Sequence, residues 1–272
     1  MSIHDLHYQL TDLADQELVV EVEGPSVLHI RKGLLDDAAA IDALPDLSAL
    51  AGESAPMHPP LADVVEIFLR GFNMGLFSSA WDQPRSSLGM LVSDSLDKEQ
   101  QIKRWHLALT GLHCGTFRVL RNLLRALRPK RVLLRTLQGA STGRSLESLS
   151  SLPYPPHSRQ VPFQVIRNPT GEKCKAVRLT FHAPLDTNRE NDVQAAFNAW
   201  AHLLMLGGYL EDDEAERGQI GAAPCPPMIL DPFTVEMSFE VFNSDEAALD
   251  AAVNLAHYLH QMRAPIESLE FE

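Results

Sequence analysis

Four arginines, Arg118, Arg121, Arg125 and Arg128, recur three or four residues apart in one stretch of the chain. On a helix that spacing gathers them on one side. Guanidinium forks match carboxylates and phosphates bidentately, so such a row suits a small anionic ligand or an acidic protein. Residues 139–145 (GASTGRS) follow a strand-like run that contains Arg135. Backbone amides in a loop of this kind form an anion-binding concavity, to which Ser141, Thr142 and Arg144 add donors. It is not a P-loop, because the glycine spacing is one residue short and Arg144 stands where the lysine belongs. These eight residues are the candidate ligand-binding set. The competing readings are an ordinary solvated helix face for the arginines and a plain linker for the loop.

Catalytic and metal chemistry find less support. His106 and His113 lie near Cys114, and an imidazole beside a thiol suggests a nucleophile–base pair. Adjacent helix residues point about 100° apart, however, so Cys114 faces away from His113, and no third orienting group is identifiable. The pairs His4/His7 and His257/His260 have a spacing that suits a metal, but neither brings a set of carboxylates or cysteines with it. Cys225 sits between prolines with nothing to lower its pKa. No catalytic residue, metal or cofactor is therefore assigned.

The formal charge of −13 is unevenly spread. Residues 1–97 carry 4 basic and 16 acidic side chains, residues 98–178 carry 16 and 3, and residues 179–272 carry 3 and 17. A basic segment between two acidic ones points either to an anionic partner or to neutralisation within the fold. Nucleic acid is not expected: no aromatic residues interleave with the arginines, and the acidic flanks would repel a polyphosphate. The longest stretch without Asp, Glu, Lys or Arg, residues 193–210, contains Gln194, Asn198, His202 and a Gly pair, so it reads as a buried helix rather than a membrane span. An N-terminus with Asp5, Asp12, Asp15 and Glu17 lacks the pattern of a signal peptide. Three widely spaced cysteines suggest a reducing, cytoplasmic setting.

The elements that must position these groups follow from periodicity. Residues 16–23 and 26–32 read as a strand hairpin, 61–77 as a helix and 88–92 as a short strand. Asp97 and Gln100 resemble a capping box, opening a helix to about Arg128 that ends before Pro129. On it Ile102, Trp105, Leu109, Leu112, Val119, Leu120, Leu123 and Leu127 form one stripe, opposite the arginines. Residues 131–137 form a strand, and 138–160 form a linker rich in Ser, Gly and Pro. Strands at 161–166 and 176–182, a helix capped by Thr187, a long loop at 207–232, a strand at 233–242, a helix capped by Ser244 and a strand at 267–271 complete the chain.

Both halves thus read strand, strand, helix, strand, helix, strand. The expectation is an α+β protein of two similar domains, 1–137 and 161–272, with the linker 138–160 between them. Its nearest common plan is the ferredoxin-like α/β sandwich, a likeness of layout alone, and layout does not give function. The leading functional expectation is a non-catalytic binding or adaptor protein that engages an acidic protein or small anionic ligand through the basic segment. Two alternatives remain. One is an enzyme with its site between the halves, using Arg144, Arg135 or the histidines on a phosphorylated or carboxylated substrate. The other is an acidic inhibitor of a basic partner. Self-association is left open.

Overall fold

The structure is a computed structural model that describes residues 15–29, 64–77, 88–110, 114–127, 129–136, 161–167, 173–210, 221–244, 246–262 and 264–272. Strand β1 (Asp15–Glu23) alternates by residue type: Leu18, Val20 and Val22 are fully buried, while Glu17, Val19 and Glu21 face outward. That period of two is what a half-buried strand requires. The expected hairpin partner is absent from the described part. Pro25–His29 form a short 3-10 turn instead, closed by Val27 N–H donating to Gly24 O at 3.3 Å. The reason is topological. Both edges of β1 are already taken, by β3 (Ile102–Thr110) and β4 (Arg131–Thr136), each antiparallel.

The larger correction concerns residues 97–128. In place of one long helix, the chain forms β2 (Leu88–Asp97), a tight turn, β3 and then the helix Cys114–Ala126. Asp97 does not cap a helix: its Oδ1 accepts from the N–H groups of Glu99 and Gln100, and Gln101 closes the turn at φ 55°. On β3 the residues Trp105, Leu107 and Leu109 are buried at alternate positions. A helical reading captures Trp105 and Leu109 but strands Leu107. Pairing with both neighbours decides for the strand.

We number the helices α1 (Val64–Asn73), α2 (Cys114–Ala126), α3 (Thr187–Met205) and α4 (Glu246–Gln261). The second half adds β5 (Gln164–Arg167), β6 (Ala176–Phe181), β7 (Ala222–Pro224), β8 (Met228–Asp231), β9 (Thr234–Phe242) and β10 (Ile266–Phe271). Both β7 and β8 lie where the sequence reads as loop, because Pro224, Pro226 and Pro227 break the pattern into pieces. At α3 the cap is Asp186, whose Oδ1 accepts from Arg189 N–H, one residue earlier than expected. The protein is thus a mixed α+β structure with antiparallel sheets and, among the described residues, four α-helices. One sheet runs β2-β3-β1-β4. The other runs β5-β10-β6-β9-β7, with β8 also on β9, and only β5 pairs in parallel.

Helices of the two halves meet. A Cβ on Gly71 of α1 would stand 2.6 Å from Leu203 Cδ1 of α3 and 3.1 Å from Phe77 Cζ, so any larger residue would make those side chains shift. Asn254 on α4 donates to Leu76 O at 3.2 Å, and Asn122 on α2 donates to Gly208 O at 3.2 Å and Leu210 O at 3.0 Å. These amides give buried carbonyls hydrogen-bond partners. Phe68 stacks with Phe72 and Phe77 beneath the first sheet, and Trp200 meets Phe239 of β9 edge-on and Phe197 at a tilt, within one continuous apolar core.

Candidate functional site

Of the arginine row, three side chains are described, and they do not form a solvent rail. Arg121 is only 8% exposed, with Nη2 3.4 Å from Asn122 Oδ1. Arg118 is half-buried and donates to Leu210 O at 3.3 Å, and Arg125 is also half-buried. The cause is a second contact surface on α2. Arg118 and Asn122 donate to the carbonyls of Gly208 and Leu210, so the turn after α3 covers the flank that carries the arginines. The side chain of Arg128 lies outside the described residues. So do Ser141, Thr142 and Arg144, together with the linker 138–160. Arg135 sits opposite Val19 in β4, and its side chain also lies outside the described residues.

The basic segment meets the acidic ones across the strands. Arg104 Nε lies 2.6 Å from Glu21, Arg131 reaches both Glu21 and Glu23, and Lys103 pairs with Asp94. In the second half Arg167 binds Glu246 and Asp250, while Arg178 binds Glu236 at 2.6 Å and Glu272 at 2.7 Å. Glu21–Arg104 and Arg178–Glu236 each sit directly opposite on neighbouring antiparallel strands, β1 with β3 and β6 with β9. The open pairs among these, such as Arg131–Glu23 and Arg167–Glu246, are each worth about 0–1 kcal/mol and neutralise charge more than they stabilise.

The histidines serve local structure. His106 Nε2 is 3.4 Å from Glu17, His257 contacts Gln261, and His260 Nδ1 accepts from Ile266 N–H while its ring lies near Phe163. His4, His7, His113 and the Cys114 side chain are outside the described residues. Burial lowers the pKa of His202, and burial raises the Cys174 thiol to about 11, which keeps it protonated and unreactive near neutrality. Among the described residues no group of three or more His, Cys, Asp or Glu side chains could hold a metal.

Two features remain that the residue pattern did not single out. The first is the edge strand β2. Among the described residues it pairs with β3 alone, and Leu88 (62% exposed), Met90 (59%) and Val92 (48%) stand in solvent. The strand is nonetheless fixed: Asn73 brackets Gly89 by accepting from its N–H and donating to its carbonyl. A Cβ at Gly89 would come within 2.8 Å of Leu69 and Phe72. The bulge after Leu91 breaks the alternation, which is why the pattern reads as a strand only over 88–92. In the second sheet one edge is broken, with β7 and β8 separated by Cys225, Pro226 and Pro227. The second feature is a cleft of about 480 Å³ bounded by Lys173, Cys174 and Lys175 on one side and Phe239, Glu240 and Phe242 on the other. These residues are some sixty-five positions apart in sequence, so spacing could not have found it.

No protein-family profile, no curated protein and no solved structure matches this chain. No helix among the described residues is long and apolar enough to cross a membrane.

Proposed function

We propose that this chain is a non-catalytic binding protein that takes an extended segment of a protein partner as an added strand on β2. The observation that carries the reading is the contrast between the two sheet edges. Exposed edges invite pairing with other chains, and proteins blunt them with prolines, charges or interruptions. The β7–β8 edge has such a break, whereas β2 runs on without prolines past Gly89, whose main-chain groups Asn73 already occupies, with a single bulge after Leu91 and a row of exposed apolar side chains. Strand addition would supply main-chain hydrogen bonds along β2, with apolar side chains of the partner meeting Leu88, Met90 and Val92. This keeps the binding role expected from the sequence and moves its contact away from the arginines of α2, two of which bond inward.

The architecture supports a further reading of the same kind: the two halves are copies of one ferredoxin-like βαββαβ plan. In its favour, β1 lies between β3 and β4 as β6 lies between β9 and β10, with helices in matching places in the chain. On this reading β5 and the break at β7–β8 are additions to the second copy.

Selection of extended peptides from a random display library against the whole protein tests the binding role. Peptides rich in alternating apolar residues should be recovered by the wild type. They should be lost by at least about tenfold in affinity with Met90→Lys plus Val92→Lys. Peptides that bind both proteins equally would refute the assignment of β2.

A further inference from the structure

We infer that Asn73, the last residue of α1, is a strand stop: its side-chain amide takes the place of a partner's peptide group at Gly89 and fixes where a strand added to β2 begins. This rests on strand addition at β2 and assigns the residue that sets its register and length. Gly89 N–H donates to Asn73 Oδ1 at 2.5 Å, and Asn73 Nδ2 donates to Gly89 O at 3.1 Å. A carboxamide offers an acceptor and an N–H donor side by side, as a neighbouring strand does. The position is built rather than incidental. Gly75, at φ 70°, closes α1 in a Schellman turn, with Leu76 N–H donating to Gly71 O and Gly75 N–H to Phe72 O. That turn holds the helix end, and Asn73 with it, beside the strand. Gly89 lies close on α1, because a Cβ there would come within 2.8 Å of Leu69 and Phe72.

The register maps the rest of the edge. Gly89 stands opposite Leu109, yet both of its main-chain groups turn away from β3 to Asn73. In an antiparallel pair such outward positions recur at every second residue. Leu91, opposite Leu107, is the next one. The bulge after Leu91 adds one residue, so past it Leu96, opposite Lys103, is outward again. A strand arriving along this edge finds Gly89 already bonded and starts its ladder at Leu91. Running on to Leu96 it pairs over about six residues, or about 20 Å. Its terminal side chain lies over Met90 and reaches Leu88 only on the diagonal.

The test uses extended peptides from a random display library, selected on the wild type and on Asn73→Ala as full chains. In the free variant the exchange of the Gly89 amide, read by NMR, should rise at least about tenfold. Met90, whose amide faces β3, should stay protected and report an intact fold. Wild-type peptides should lose at least about tenfold in affinity when shortened below about six residues, and gain less than about twofold when lengthened to about eight. Asn73→Ala should gain at least about tenfold from the same lengthening. Equal gains in both proteins, or a wild-type affinity that keeps rising to about eight residues, would overturn the stop and leave strand addition standing. Recovery of no peptide by either protein would refute strand addition, and the stop with it.

Discussion

Replacing Arg178 by methionine separates a working ion-pair cluster from a merely solvated sheet face. Arg178 Nε and Nη2 both reach Glu236 Oε2, at 3.0 and 2.6 Å, and Nη1 stands 2.7 Å from Glu272 and 3.9 Å from Glu270. Its hydrogen bond to Glu236 is the first cause holding the guanidinium pKa above its ordinary value, so the side chain is charged at every accessible pH. The Glu236 side chain is 15% exposed and that of Arg178 29%, which shields this pair more than most here. A hydrogen bond to a charged group contributes about 1.5–3 kcal/mol, and the more open contact to Glu272 about 0–1 kcal/mol. Methionine preserves the apolar stem. The variant should therefore lose about 2–4 kcal/mol in urea denaturation at pH 7. A double-mutant cycle with Glu236→Gln should give a coupling above about 1 kcal/mol. Coupling below about 0.5 kcal/mol would show that the contacts are too solvated to matter, and the argument from geometry would fail.

Three further outcomes follow from burial. Trp105 and Trp200 are both 0% exposed, so either alanine variant should lose about 3–5 kcal/mol, and an unchanged denaturation midpoint would contradict that. Because burial pushes Cys174 up to about 11, its alkylation by iodoacetamide should be slow at pH 8 and rise about tenfold per pH unit toward that value. A rate already level by pH 9, read by mass spectrometry, would refute the shift. Desolvation lowers the pKa of His202, so the unfolded chain takes up a proton that the folded one refuses, and the contribution present above about pH 6.5 is lost as pH falls. His202→Gln should flatten the decline in stability between pH 7 and 5, and parallel slopes would contradict this.

Elements whose pattern fits one template were legible in the sequence. The alternation of residues 176–181, the apolar spacing of 187–205 and Pro129 after α2 each point one way, and the structure has those elements within a residue or two. Residues 102–110 were not legible. Trp105 and Leu109 fit a helical stripe as well as a strand face, and the choice depends on β1, some eighty residues earlier. The arginines of α2 failed for a similar reason: nothing in their spacing says that the turn at Gly208 will cover their flank. Edge position is likewise a property of sheet order, so the exposure of Met90 and Val92 could not be inferred from residues 88–97 alone.

Strand addition on β2 can be tested most directly by photo-crosslinking in the native host. A photoreactive amino acid would replace Met90 or Val92 on β2, and Arg118 or Glu240 in separate variants. The account predicts one recurrent protein adduct from positions 90 and 92, attached through an extended segment of that partner, and none from 118. Adducts from Arg118 without any from the strand would contradict it, and would return the contact to the arginines.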